Sequence, residues 1–251
     1  MLSALLIPLL IAGSPRAQEG CAPHIVRGQV RSCVCALTPE DLGECCDGDE
    51  TACSYIAGCL ERDLGPSPAI LPAVREDLAA LAGPLDPADA EVALLAAVRT
   101  GRVEAVALLL ARGVPAEAAR ERFGSALELA VGNPGPALEL ATLLLRAGAD
   151  PNRRIGQLHP LVVATLRGDR ELVRLLLQAG ADPDAPSGHE GTTALMTAAA
   201  RGDVEVIRVL LAAMPDPGRP SHGVTAAASL ARRRGHEEAA ALLEAAAAPA
   251  P

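Results

Sequence analysis

The side chains best able to do chemistry in this chain are seven cysteines, all lying between Cys21 and Cys59. They stand as Cys21, Cys33-Val34-Cys35, Cys45-Cys46, Cys53 and Cys59. Thiols so placed can oxidise in pairs to disulfides or, as thiolates, hold a soft metal ion. No two have the Cys-x-x-Cys spacing of a zinc knuckle or a thioredoxin-like redox pair. The segment is rich in Gly, Asp and Glu and poor in large apolar residues. It cannot build an ordinary core, so it needs cross-links or a metal. The expectation is three disulfides plus one free or intermolecular thiol, in no specified connectivity. The alternative is a metal- or redox-active domain in which Cys33, Cys35, Cys45 and Cys46, helped by His24, are the ligands. A free-thiol count on the native protein separates the two.

Catalysis finds little support. The histidines, His24, His159, His189, His222 and His236, are far apart in sequence. There is no Gly-x-Ser-x-Gly elbow, no P-loop and no His-Glu-x-x-His zinc helix. A non-enzymatic protein without a cofactor is expected.

All 22 basic residues are arginine, and the formal net charge is −9. Most of that acidity lies between Gln18 and Asp86. Tyr55 and Phe123 are the only aromatic residues. A chain with no rings on which to stack bases, and with excess negative charge, is not expected to bind nucleic acid. The scarcity of aromatic and β-branched residues argues against a β-sandwich or barrel. A chain rich in Ala, Leu, Arg and Glu suits packed helices, because these residues lose little on entering one.

At the amino terminus, Leu2 to Ala12 is apolar except for Ser3 and Pro8, and Gly13-Ser14-Pro15 follows. A run of about 11 residues fits a signal-peptide core and is too short to span a bilayer. Residues 1–17 are therefore expected to be a signal, cut after Ala17, and the chain to be exported to a periplasmic or extracellular space. A cytoplasmic location follows instead if the run is not a signal.

The elements that must position any site are legible as a repeat of about 33 residues. The clearest copy reads His159-Pro160-Leu161-Val162-Val163-Ala164-Thr165-Leu166-Arg167-Gly168-Asp169, then Glu171-Leu172-Val173-Arg174-Leu175-Leu176-Leu177, then Gly180-Ala181-Asp182. Further copies hold Thr193-Ala194-Leu195 with Gly202-Asp203, Ser125-Ala126-Leu127 with Leu143-Leu144-Leu145, Leu94 with Gly101 and Leu108-Leu109-Leu110, and Arg234-Gly235-His236 with Leu242-Leu243. From the mid-repeat glycine to the first residue of the apolar triplet is seven residues in Gly101–Leu108, Gly168–Leu175, Gly202–Val209 and Gly235–Leu242. Each unit predicts two helices: the first ends at Gly168, and the second buries Val173, Leu176 and Leu177 at i, i+3 and i+4. One such hairpin cannot cover its own apolar face, but a stack can.

These residues resemble the ankyrin repeat, from about Glu91 to Glu244. The Thr-Ala-Leu opening, the Gly-Asp or Gly-His before the second helix, the Leu-Leu-Leu and the Gly148-Ala149-Asp150-Pro151-Asn152 ending match in order and spacing. The usual first-helix histidine is replaced by Leu95, Glu128, Val162, Met196 and Ser229. The resemblance implies an all-α fold, an ankyrin-repeat helical solenoid. Before it, the clustered cysteines are read as a small Cys-rich segment, disulfide-linked on the export expectation. The expected organisation is a signal at 1–17, the Cys-rich segment at 18–63, a Pro-rich linker with one short capping helix at 64–87, and four to five repeats with a C-terminal cap at 88–251.

The resemblance also implies a protein partner, met by the first-helix ends on the concave face and by the turn tips. Carried over by position, the helix ends offer Arg99, Arg167, Arg201, Arg233 and Arg234. The tips offer Arg153 and Arg154, and His189 with Glu190. Guanidinium forks pair well with carboxylates, so an acidic partner surface is expected. The competing account is that these cations merely complement the helix dipole and are solvated.

Overall fold

The computed structural model describes residues 21–26, 29–35, 56–58, 60–61, 64–120, 124–154, 158–188, 191–214 and 223–247. Two strands, β1 (Cys21–Val26) and β2 (Gln29–Cys35), pair antiparallel. Helices then dominate. They are α1 (Ile70–Arg75), α2 (Leu78–Ala82), α3 (Pro87–Thr100), α4 (Val103–Ala111), α5 (Ala126–Gly132), α6 (Ala137–Arg146), α7 (Pro160–Arg167), α8 (Arg170–Gln178), α9 (Ala194–Arg201), α10 (Val204–Ala213), α11 (Val224–Arg233) and α12 (Glu237–Ala247). Between α4 and α5, β3 (Ala119–Arg120) and β4 (Gly124–Ser125) make a two-rung ladder. The described residues are therefore mostly α-helical, in keeping with the expected all-α repeat array.

The local signals explain the helix ends. Pro160 opens α7 at a position where a missing N–H is harmless. Gly168 ends it in the left-handed conformation, φ 71°. Asp169 then accepts a hydrogen bond from the Leu172 amide at 3.0 Å and starts α8, and Asp203 does the same for Val206 at 3.1 Å in α10. In α5, one replacement of the family histidine has a visible role. Glu128 accepts from the Ser125 amide at 2.7 Å while the Ser125 hydroxyl accepts from the Glu128 amide at 3.1 Å, a closed capping box.

Each hairpin packs on the next in two rows. The first helices α3, α5, α7, α9 and α11 stack against one another, and so do the second helices α4, α6, α8, α10 and α12. The core runs continuously through both rows. Ala93, Ala96, Ala97, Ala198 and Ala199 are fully buried, and these small side chains let neighbouring helices come close. In α8 the buried stripe is Leu172, Val173 and Leu176. Leu177 is only half-buried, so the stripe lies one position nearer the amino terminus than the spacing predicts.

Before the first full hairpin, residues 64–87 pack rather than merely connect. Where a single short helix was expected, there are two, separated at Glu76, whose φ is 58°. They dock on α3 and α4 as a shortened hairpin. Ile70, Ala73, Val74 and Leu81 are fully buried, and Ile56, Leu60 and Leu64 continue the same cluster upstream. The physical reason is that α3, as the first helix of the first full hairpin, has a flank that no preceding hairpin would otherwise cover.

Glu76 sits where this shortened hairpin meets α4. Its Oε1 accepts from the Glu104 amide at 3.1 Å and the Ala105 amide at 3.4 Å. Partial burial, together with the Glu104 carboxyl group beside it, raises its pKa above 4.5, against the opposing pull of the Ala105 amide and Arg102. A carboxyl group with a higher pKa in the folded chain binds its proton more tightly there than in the unfolded chain. Its contribution to stability is thus fully present below 4.5 and lost as pH rises through the folded value. Glu76→Gln lacks this titration. Thermal melts across that window should show wild type losing stability relative to the variant as pH rises, and a constant difference would refute the assignment.

Candidate protein-binding face

Because the first helices stack in register, their carboxyl ends fall along one edge. Arg99, Arg167, Arg201 and Arg233 lie in the last turns of α3, α7, α9 and α11, and Arg234 is the residue that follows α11. Arg167, Arg201, Arg233 and Arg234 are exposed, and Arg99 is half-buried. The row is interrupted in the second hairpin, where Asn133 occupies the equivalent place and is buried. Its Nδ2 donates to the Val98 carbonyl at 2.9 Å and the Arg99 carbonyl at 3.2 Å.

That bond belongs to a series the sequence did not announce. Each hairpin reaches back to the end of the first helix of the hairpin before it. Arg102 Nε donates to the Val74 carbonyl at 2.8 Å, and Arg167 Nη1 donates to the Gly132 carbonyl at 3.4 Å. His236 Nε2 lies 3.2 Å from the Ala200 carbonyl oxygen. The Arg201 guanidinium sits over Gly168, so close that a Cβ added there would be 2.7 Å from Nη2. Last-turn carbonyls lack an intrahelical partner, and Arg102, Asn133, Arg167 and His236 supply one across the repeat boundary, while Arg201 packs over Gly168. Arg167 and Arg201 therefore sit against the stack as well as on its surface. The signal in the sequence was the recurrence of a long polar residue just before or just after the mid-repeat glycine.

The turn tips differ in character. Arg153 forms an ion pair with Glu117 and also donates to the Glu117 carbonyl at 3.0 Å. Asn152 bridges to the next tip, donating to the Gly180 carbonyl at 2.9 Å and accepting from the Asp182 amide at 2.7 Å. Arg154 is exposed and engaged in an interaction of its own. His189 and Glu190 lie outside the described residues. Of the cysteines, Cys45, Cys46, Cys53 and Cys59 also lie outside them, whereas Cys21, Cys33 and Cys35 fall on β1 and β2. There the register sets Cys21 opposite Cys35 and Pro23 opposite Cys33.

The ion pairs are distributed unevenly. Among the described residues, Arg120, Arg153, Arg170, Arg174, Arg208 and Arg232 pair with carboxylates. Arg99, Arg167, Arg201, Arg233 and Arg234 do not. No described helix is long and apolar enough to cross a membrane.

A stack of helical hairpins with short connecting turns and one continuous thin core is a repeat solenoid, and its extended edge is its principal surface. Residues 161–249 match the family model described as ankyrin repeats (3 copies), so this part of the chain is an ankyrin-repeat array. The same hairpin geometry continues upstream through α5/α6 and α3/α4. Ankyrin repeats generally serve as protein–protein interaction modules and are typically non-enzymatic. No curated protein matches the chain.

Proposed function

We propose that the protein is an exported, non-enzymatic binding module that docks an acidic surface of a protein partner on the arginine edge. Arg99, Arg167, Arg201, Arg233 and Arg234 meet its carboxylates, and the tips carrying Arg153, Arg154, His189 and Glu190 extend the contact. The observation that carries the reading is that these edge arginines have no carboxylate partner among the described residues, whereas Arg120, Arg170, Arg174 and Arg232 are paired. Away from the edge Arg112 and Arg146 lack one too, Arg112 because it donates to the Leu81 and Gly83 carbonyls. Charge left open along one edge favours a complementary surface, giving faster and salt-sensitive encounter. The apolar amino-terminal run and the clustered cysteines support export.

The test uses the full chain, immobilised, to capture partners that are identified by mass spectrometry and then measured by titration. Arg201→Glu combined with Arg233→Glu should weaken binding at least about tenfold, and added salt should weaken it for wild type too. Binding that neither change alters would sink the acidic-surface reading.

A further inference from the structure

The described residues expose three large hydrophobic side chains, and two of them, Leu138 (40% exposed) and Leu166 (46%), share the edge where the helix pairs turn. Leu138 opens α6 and lines a shallow groove between α4 and α6 with Val103, Ala107 and Leu143. Glu104 and Glu139 stand at the same groove, and both are exposed. Leu166 and Arg167 close α7 in the next hairpin. The Arg167 bond to the Gly132 carbonyl places that end of α7 beside the turn that leads into α6.

An apolar socket with a carboxylate rim and an apolar plug with an adjoining arginine thus adjoin one edge of one chain, where the helix pairs turn. We propose that this edge is a two-fold self-association surface. In it, Leu166 of each copy enters the α4/α6 groove of the other, and Arg167 pairs with Glu139 across the contact. The two halves are complementary in polarity and charge, and lying together lets one half-turn rotation satisfy both at once, closing the assembly without free ends. The chain's net charge of −9 opposes unspecific association, so the contact depends on this local pairing and weakens with salt. Apart from its use of Arg167, the inference is independent of the external acidic partner.

Sedimentation velocity of the full chain, from micromolar to submillimolar concentration, tests it. Wild type should pass from monomer to dimer, and Leu138→Glu or Leu166→Glu should each weaken dimerisation at least about tenfold. Both side chains are exposed, so thermal melts of the variants should match wild type. Glu139→Arg should also give monomer, and adding Arg167→Glu to it should restore the dimer. Monomer at every concentration would overturn the proposal, as would dimers, thiol-linked ones included, that Leu138→Glu leaves unchanged. A charge reversal that fails to rescue would overturn the Arg167–Glu139 pairing. A monomeric chain would leave the reading of Arg99, Arg201, Arg233 and Arg234 untouched.

Discussion

Leu144→Ala should lower the stability of the solenoid by about 2–5 kcal/mol, the range for emptying a large buried aliphatic site. Leu144 is fully buried in α6, which packs between α4 and α8 near the middle of the outer row. Each hairpin leans only on its neighbours, so the loss acts on two interfaces at once as well as within the hairpin. Surrounding helices cannot close the void by shifting, because buried alanines already hold them near closest approach. Urea denaturation followed by circular dichroism should show a lower midpoint. The transition should also broaden, because a weakened central hairpin lets the two ends of the array unfold separately. A midpoint within experimental scatter of wild type would mean that the core is not continuous at α6.

Gly202→Ala should be nearly as damaging, at about 2–4 kcal/mol. Two separate penalties meet there. Gly202 has φ 69°, a conformation that side chains tolerate poorly. An added Cβ would also lie 2.5 Å from Nδ1 and 2.6 Å from Cγ of His236, the ring that reaches back from the last hairpin. Gly168 provides the comparison, because its φ of 71° carries the same backbone penalty. The nearest atom to its added Cβ is the far end of the flexible Arg201 side chain, which can swing away. Gly168→Ala should therefore be milder, at about 1–2 kcal/mol. Denaturation of both variants, and of Gly202→Ala with His236→Ala, decides the matter. Equal losses at the two glycines, or no recovery in the double variant, would show that the His236 contact is not the cause.

Much of the helical array could be read in advance, and the reason is local. The mid-repeat glycine, the aspartate after it and the apolar triplet act within a few residues of themselves, so Gly168, Asp169 and Leu176 end, start and bury their helices as their types suggest. The shortened hairpin at 70–82 was less legible. Pro66, Pro68 and Pro72 read as linker punctuation, but Pro72 lies within α1, beside the fully buried Ile70, Ala73 and Val74. What folds that stretch is the bare flank of α3, a surface that exists only after the stack has formed.

The candidate face divides in the same way. The row of arginines follows from the repeat period alone, since equivalent positions in stacked units must align. Which of them are engaged does not follow. Arg153 reads like Arg99 in sequence, yet it is paired with Glu117 from the preceding hairpin, across a sequence separation of 36 residues. Asn133 reads as a loop residue, yet it is buried and caps two carbonyls of α3.

By itself, then, the sequence determined the class of element, its period and most of the residues that face inward, because those depend on short-range backbone preference and on apolar spacing. Only the tertiary structure decided which polar side chains are spent holding one hairpin to the next and which remain available at the edge. That choice depends on distances between residues one full repeat apart, which no local pattern carries.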